Sequence, residues 1–325
     1  MRNTEGVTLL DLVGQNIGSP AVLAFVLGAV AVRLKSDLSF PESVTSLLST
    51  YLLLAIGLKG GLRLRDAAFG DLLLPLVGTL VIGVVTPAIT YWVARKFLAR
   101  SASDSAALAA HYGSVSAVTF TAAETFVKNA GTLDENYLAA LVAVLEVPGI
   151  VIALVIASRV LGKSTFKSAV HEVVTGRSVV LLIGGLIIGF VASERSAAFV
   201  EPLFVDLFAG VLVLFLLDLG VMAGSRFEAI RAAGPRLIVF AIALPVVFGA
   251  FGVAVGTLAG LSVGGVTVLA TMAASASYIA APAAVRIGMP EADGGLALGA
   301  ALGITFPFNL VIGIPLYSEL AAFAA

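Results

Sequence analysis

His111–Lys128 reads HYGSVSAVTFTAAETFVK, and this stretch decides the fold. It lies inside an apolar segment of membrane-spanning length, yet its centre, residues 113–116, is small, polar and poor in helix-forming residues. Lipid offers no partner to backbone N–H and C=O groups, so an unwound helix exists there only where it lines a protein-enclosed cavity. The stretch therefore predicts a broken membrane helix that lines a buried polar site.

A second stretch of the same character is Thr271–Arg286, TMAASASYIAAPAAVR, in which residues 275–277 repeat the Ser-x-Ser pattern of residues 114–116. Two interrupted apolar segments at corresponding places in two halves are the best sequence pointer to the binding site of a secondary transporter. Small residues also permit close helix crossings, and a single copy would favour that explanation. Two related copies favour a site.

Composition sets the class of protein. The 325 residues are 59% hydrophobic and 12% charged, with a mean hydropathy of +1.08, whereas a soluble domain carries roughly 25% charged residues. Long apolar runs predict helices rather than the short alternating strands of a transmembrane barrel. A net charge of −1 gives no indication of nucleic-acid binding. The absence of cysteine excludes disulfides, thiolate metal sites and cysteine nucleophiles.

A membrane span needs about 20 apolar residues, and ten segments of the chain fit this requirement. They are residues 19–35, 42–59, 71–98, 103–129, 135–160, 177–193, 202–224, 234–260, 263–288 and 294–323. The fourth and ninth contain the two predicted breaks. The predicted fold is therefore an all-α integral membrane protein with ten transmembrane helices.

The ten spans divide into two similar halves, residues 1–161 and 177–325, joined by a short basic loop at 162–176. Three landmarks recur in the same order: a Leu-Gly motif in spans two and seven, the breaks in spans four and nine, and a proline in spans five and ten. Five spans is an odd number, so the second half must enter from the opposite side, which predicts inverted repeats with crossing broken helices. The alternative is chance similarity between apolar helices.

Loop charges predict the orientation, because cytoplasmic loops carry an excess of Lys and Arg. If the N-terminus lies outside, thirteen basic residues fall in the inner loops and six in the outer ones. The prediction is an inner-membrane protein with both termini in the periplasm and the 162–176 loop in the cytoplasm.

The breaks predict a site for a small anion. Half-helix N-termini carry free N–H groups and a partial positive charge, and nearby serine hydroxyls add hydrogen-bond donors. No Lys or Arg lies in the centre of either motif, so a small, weakly charged anion fits better than a sugar or a peptide. The candidate substrate-binding residues are Gly113, Ser114, Val115, Ser116, Ala274, Ser275, Ala276 and Ser277.

A cation site is predicted beside the breaks, because ionisable groups inside a membrane are costly and are therefore functional candidates. Glu146 lies in the middle of span five, just before Pro148, which frees a backbone carbonyl one turn back. Oxygen ligands of this kind suit an alkali cation. The candidate sodium ligands are Ser114, Ser116, Glu146, Thr305, Asn309 and Asp218. An interfacial position or pairing with Lys59 is the alternative for Asp218, and His111 is expected to be a hydrogen-bonded core histidine rather than a ligand.

No enzyme is predicted. The chain has no credible nucleophile–base pair, no phosphate loop ending in G-K-[ST] and no H-E-x-x-H motif.

Four runs of sequence carry a resemblance to a known family: GSPAVLAFVLGAVAVRLKSDLSFPESV, LLLAIGLKGG, HYGSVSAVTF and ASASYIAAPAAVR. They resemble the sodium-dependent bicarbonate transporters of cyanobacteria and their bacterial relatives over nearly the whole chain. The resemblance implies a trimer in which a core of spans three to five and eight to ten moves, elevator-like, against a gate formed by the other spans. It also implies bicarbonate between the breaks and a PII-like cytoplasmic regulator. The central loop here is shorter than in the better-known members.

The predicted function is sodium-driven symport of bicarbonate. One alternative is a carrier of another small anion, such as a short carboxylate, coupled to sodium or to protons through Glu146. The other is a membrane-embedded sensor subunit that does not transport.

Overall fold

The computed structural model describes residues 9–65, 67–162 and 166–325, and every regular element in these ranges is helical. The α-helices are α1 Leu9–Ile17, α2 Pro20–Arg33, α3 Glu42–Leu64, α4 Phe69–Lys96, α5 Ala102–Tyr112, α6 Ala117–Ala130, α7 Leu138–Glu146, α8 Pro148–Leu161, α9 Phe166–Thr175, α10 Arg177–Val191, α11 Glu194–Glu201, α12 Phe208–Ser225, α13 Phe227–Ala233, α14 Pro235–Leu258, α15 Val263–Ala274, α16 Ala281–Gly288, α17 Gly294–Ala300, α18 Phe306–Phe308 and α19 Ile314–Ala324. Three π-helical segments are Pro202–Asp206, Ala301–Thr305 and Asn309–Gly313.

The helices account for the apolar segments seen in the sequence. Within the described ranges, six helical stretches are long and apolar enough to cross a membrane, and two bent pairs raise the number to eight. The bent pairs are α1 with α2, at 66°, and α9 with α10, at 46°. Predicted spans four and nine are not among these because each is divided into two shorter helices, α5 with α6 and α15 with α16. The protein is therefore a helical, multi-pass membrane protein.

Glycine pairs bring two sets of helices into close contact. A Cβ added to Gly57 or Gly61 of α3 would meet the backbone of α10, and one added to Gly220 or Gly224 of α12 would meet the backbone of α2. In each case the two glycines are four residues apart and lie on one face of their helix, which is how small residues let membrane helices approach. The same motif thus forms two helix crossings, and each one joins a helix of the first half of the chain to a helix of the second half.

The remaining packing also follows one pattern in both halves. Helix α4 packs against α5 and α8, and α14 packs against α15 and α19. In the centre, α15 contacts α6 and α16 contacts α5, so each broken span of one half lies against the broken span of the other. This arrangement places both breaks inside the protein.

The predicted loop at 162–176 contains a helix, which corrects the interpretation of this segment as a loop. In α9, Ala169 and Val173 are buried, and the helix packs against α8 and α16. The spacing of these two residues, one helical turn, creates an apolar face that the high local charge obscured. Residues 163–165 of the loop lie outside the described ranges.

Span ten has wider turns than the sequence suggested. In the π segment Asn309–Gly313 the N–H of Ile314 bonds to the carbonyl of Asn309. The next donor in that register would be Pro315, which has no N–H, so the carbonyl of Leu310 lacks its helical partner. Asn16 of α1 supplies the donor instead, with its Nδ2 2.6 Å from the Leu310 oxygen. The N-terminal helix is thereby fixed to span ten.

Candidate functional site

The first break is a tightly packed unwound segment. Helix α5 ends at Tyr112, α6 begins at Ala117, and residues 113–116 between them are buried. Ser116 caps α6 by accepting a hydrogen bond from the N–H of Thr119 at 3.1 Å. A Cβ added to Gly149 would overlap the carbonyl of Gly113, so the start of α8 lies directly on the backbone of the break.

The second break lies opposite the first and is bonded to it. Helix α15 ends at Ala274 and α16 begins at Ala281. The N–H of Ser116 donates to Ser275 Oγ at 2.9 Å, and the N–H of Ser277 donates to the carbonyl of His111 at 2.7 Å. Buried backbone groups need partners, and here each break supplies partners for the other.

His111 strengthens this connection with its side chain. Its Nδ1 lies 2.7 Å from the carbonyl oxygen of Ser277. A carbonyl oxygen only accepts, so Nδ1 carries the proton and Nε2 is the unprotonated nitrogen of the neutral ring. Two hydrogen bonds therefore join residues 111 and 277, one from each direction. His111 positions the breaks, which extends the expectation of a hydrogen-bonded core histidine.

The serine side chains of the two breaks form hydrogen bonds with different partners. Ser114 Oγ donates to the carbonyl of Glu146 at 3.0 Å, which connects the first break to α7. Ser275 Oγ donates to the carbonyl of Met272 at 2.8 Å while it accepts from Ser116. Ser277 Oγ accepts from the N–H of Ala281 at 3.3 Å at the start of α16. The hydroxyls predicted as ligands thus also hold the breaks in shape.

A cavity of about 10 Å³ lies where the breaks meet α7, about the space that one water molecule needs. Its polar lining comes from Ser116, Glu146, Ser178, Ser277 and Tyr278. Glu146 is only 3% exposed, and within the described ranges neither its Oε2 nor the hydroxyl of Tyr278 has a hydrogen-bond partner. A buried carboxylate oxygen without a partner is costly, so this cavity is suited to a cation or another hydrogen-bond donor.

Three predicted cation ligands have other partners. Asn309 donates through Nδ2 to the carbonyl of Ala274 at 2.8 Å and accepts through Oδ1 from Tyr317. It therefore holds the carbonyl end of α15 at the second break. Thr305 donates to the carbonyl of Ala241 at 2.7 Å and accepts from Tyr112, and Asp218 accepts from Thr45 at 2.6 Å. The structure thus brings Glu146, Ser114 and Ser116 together, while Thr305 and Asp218 bind elsewhere.

Some residues of the site were missed in the sequence. Ser178 comes from α10 in span six and reaches the cavity although no motif surrounds it. The sequence allows Tyr278 either to cap the second break or simply to pack, and the structure places it in the lining of the same cavity as Glu146. Gly149 follows Pro148, and this Pro-Gly pair at mid-span is the one signal that indicated an unusual backbone.

Comparison with protein-family models matches residues 20–322 to the Na⁺-dependent bicarbonate transporter superfamily. The matched range contains both breaks, Glu146 and every helix from α2 to α18. A search of curated proteins returns no match.

Proposed function

We propose, since the chain belongs to the Na⁺-dependent bicarbonate transporter superfamily, that it is a sodium-driven symporter that takes up bicarbonate across the inner membrane. The observation that carries the proposal is the pair of mutually bonded breaks with Glu146 beside them, whose Oε2 has no hydrogen-bond partner in the part of the chain that the structure describes. This arrangement combines two features that such a symporter needs: backbone N–H groups at a helix start for an anion, and a buried negative charge for a cation.

In this proposal the anion lies between the breaks, against residues 113–116 and 274–277. Ala117 opens α6 and lines the small cavity, so the positive end of this half-helix faces the site. Sodium binds next to Glu146, with Ser114 and Ser116 as hydroxyl ligands. Its positive charge offsets that of the carboxylate and favours the arrival of the anion.

Asn309 belongs to the proposed sodium site only as a support, because both ends of its amide are hydrogen-bonded. We leave Thr305 and Asp218 out of the ligand set, since their polar atoms bind Ala241, Tyr112 and Thr45 instead. A cavity of about 10 Å³ is smaller than bicarbonate requires, so the site must widen when the anion enters.

We further propose that the two halves are inverted repeats with ten spans, both termini in the periplasm, and that transport is elevator-like. The matching helix contacts of the two halves support the repeat. The hydrogen bonds between the breaks support a core that moves as one body, because the core cannot divide at the site without breaking them. Assembly as a trimer and control by a PII-like regulator are proposed from the family resemblance.

The test is uptake of labelled bicarbonate by proteoliposomes under an inward sodium gradient, with an equal potassium gradient as the control. We expect uptake above equilibrium that collapses when sodium is equal on both sides. Uptake that is indifferent to sodium, or no uptake, would contradict the proposal.

A proton-coupled carrier is the second candidate, because the same unpartnered Glu146 oxygen is able to hold a proton. An inward proton gradient without sodium would then drive uptake, and a panel of short carboxylates competing with bicarbonate would identify the anion.

A further inference from the structure

A cavity of about 670 Å³ lies away from the breaks, at the end of the protein where α3 and α6 finish. Under the predicted orientation this is the periplasmic side. Its walls come from the C-terminal parts of α3 and α6, the loop that follows α6, and α11. Four basic side chains line it: Lys59, Arg63, Arg65 and Lys128. The size is ample for a hydrated small ion.

Four acidic side chains line the same cavity, and the two that are partly buried already have partners. Glu124 forms an ion pair with Lys128 at 2.7 Å. Glu135 accepts hydrogen bonds from the N–H and the Oγ of Ser262, at 2.5 and 2.6 Å. The other two, Asp134 and Glu201, are exposed, so salt and water screen their charges.

Lys59 is partly buried, whereas the other three basic side chains of this cavity are exposed. Its Nζ lies 3.4 Å from the centre of the Phe208 ring. A ring face stabilises an ammonium group without neutralising it. Within the described ranges no carboxylate lies within ion-pair distance of Lys59. A positive charge in a cavity with low-dielectric walls raises the local concentration of anions.

The position of Lys59 also connects the cavity with the breaks. Ile56, one turn before Lys59 on α3, lines both the large cavity and a second cavity of about 10 Å³. That second cavity shares Leu53, Ala117 and Ile279 with the cavity at Glu146. The three cavities therefore follow one seam between α3 and α6, separated by apolar side chains.

We propose that the large cavity is a second binding site for small monovalent anions, with Lys59 as its charged anchor, from which the anion passes along the α3–α6 seam to the breaks. The identity of the transported anion and the direction of passage rest on the proposed function. Binding of an anion beside Lys59 does not depend on the proposed function.

The first test measures uptake by Lys59→Gln and Lys59→Arg in the same proteoliposomes. We expect Lys59→Gln to raise the KM for bicarbonate about tenfold, the low end of electrostatic focusing in a charged cleft, with maximal velocity little changed. Lys59→Arg keeps the charge and should keep the KM. Arg63→Gln, on the same cavity wall, is the control for a general loss of positive charge. An unchanged KM in Lys59→Gln, or an equal rise in Arg63→Gln, overturns the assignment of Lys59.

The second test needs no transport. A neutral acetylating reagent is applied to purified wild-type protein at fixed pH and ionic strength, and acetylation of each lysine is followed by mass spectrometry. Replacing gluconate with bicarbonate or nitrate should slow acetylation of Lys59 and leave the exposed Lys35 unaffected. Equal rates in all three anions refute the site. Protection of Lys59 in a protein that fails to take up bicarbonate would refute the proposed function and leave the anion site standing.

Discussion

Gly149→Ala tests whether the start of α8 must rest on the backbone of the first break. The added Cβ would overlap the carbonyl of Gly113 and lie 2.7 Å from its Cα. Two carbon atoms make favourable contact at about 3.5 Å or more, so relieving the contact with Cα alone requires the break or the helix to move by about 0.8 Å. The overlap with the carbonyl, which lies closer to the added Cβ than Cα does, requires a larger movement. The atoms in the way belong to the backbone, which no change of rotamer can relieve.

The consequence for the site follows from Ser114, the residue after Gly113. Its hydroxyl donates to the carbonyl of Glu146 at 3.0 Å. A shift of about 0.8 Å or more along this bond would take the pair to nearly 4 Å or farther, beyond hydrogen-bond distance. Overpacking of a core costs about 1–3 kcal/mol. Expressed as lost anion affinity, this range corresponds to about 5- to 150-fold weaker binding.

The assay compares sodium-driven uptake with thermal unfolding of the purified variant in detergent. We expect Gly149→Ala to lower uptake at least fivefold, the small end of that range, while the protein remains a single species in size-exclusion chromatography. Gly184→Ala is the matched control, because nothing lies within 4 Å of a Cβ added there. If Gly149→Ala transports and melts like Gly184→Ala, the close packing derived for the break is wrong.

Three further substitutions address single contacts. Asn16→Leu leaves the carbonyl of Leu310 unpartnered in a buried place, which should destabilise the protein by about 1–3 kcal/mol and lower its melting temperature. His111→Phe keeps the ring volume but removes the donor to the Ser277 carbonyl, so uptake should fall more than stability does. Glu146→Gln keeps a side chain of the same shape without the charge, and the sodium concentration for half-maximal uptake should rise about tenfold or more, as expected from the loss of a buried charge partner.

Each of these variants has a control. Gln15→Leu changes an exposed neighbour on α1 and should leave the melting temperature unaltered. His111→Asn offers an amide N–H close to the position of Nδ1 and should restore part of the uptake. For Glu146, replacement by Asp keeps the charge, so an equal shift in sodium dependence for Asp and Gln would argue against a charge effect.

The breaks were predictable because a group of small polar residues inside a long apolar run can be recognised from the local sequence alone. Their mutual bonding was not, since Ser116 and Ser275 are 159 positions apart and their pairing depends on how two helices cross. The same applies to Ser178, whose own segment carries no polar motif. Its place beside Glu146 results from the packing of α10 on α3.

Residue type alone also could not show which of the predicted cation ligands lie together. Thr305 and Asp218 have the chemistry of sodium ligands, and hydroxyls and carboxylates in spans are sound candidates. The direction in which each of these side chains points, however, depends on the register of its helix. Span ten contains π turns, and no periodicity in the sequence predicts them. The helix in the 162–176 segment was overlooked because its apolar face is only two buried residues wide.

The bonding between residues 111–116 and 275–277 has a consequence for biogenesis. When the ribosome has completed only the first half of the chain, the amide of Ser116 has no partner, because Ser275 has yet to be synthesised. The first break therefore has to remain hydrated, or held by the insertion machinery, until spans six to nine arrive. We therefore expect the two halves to mature together, and a chain truncated after residue 161 to lack the partner that Ser275 supplies to the amide of Ser116.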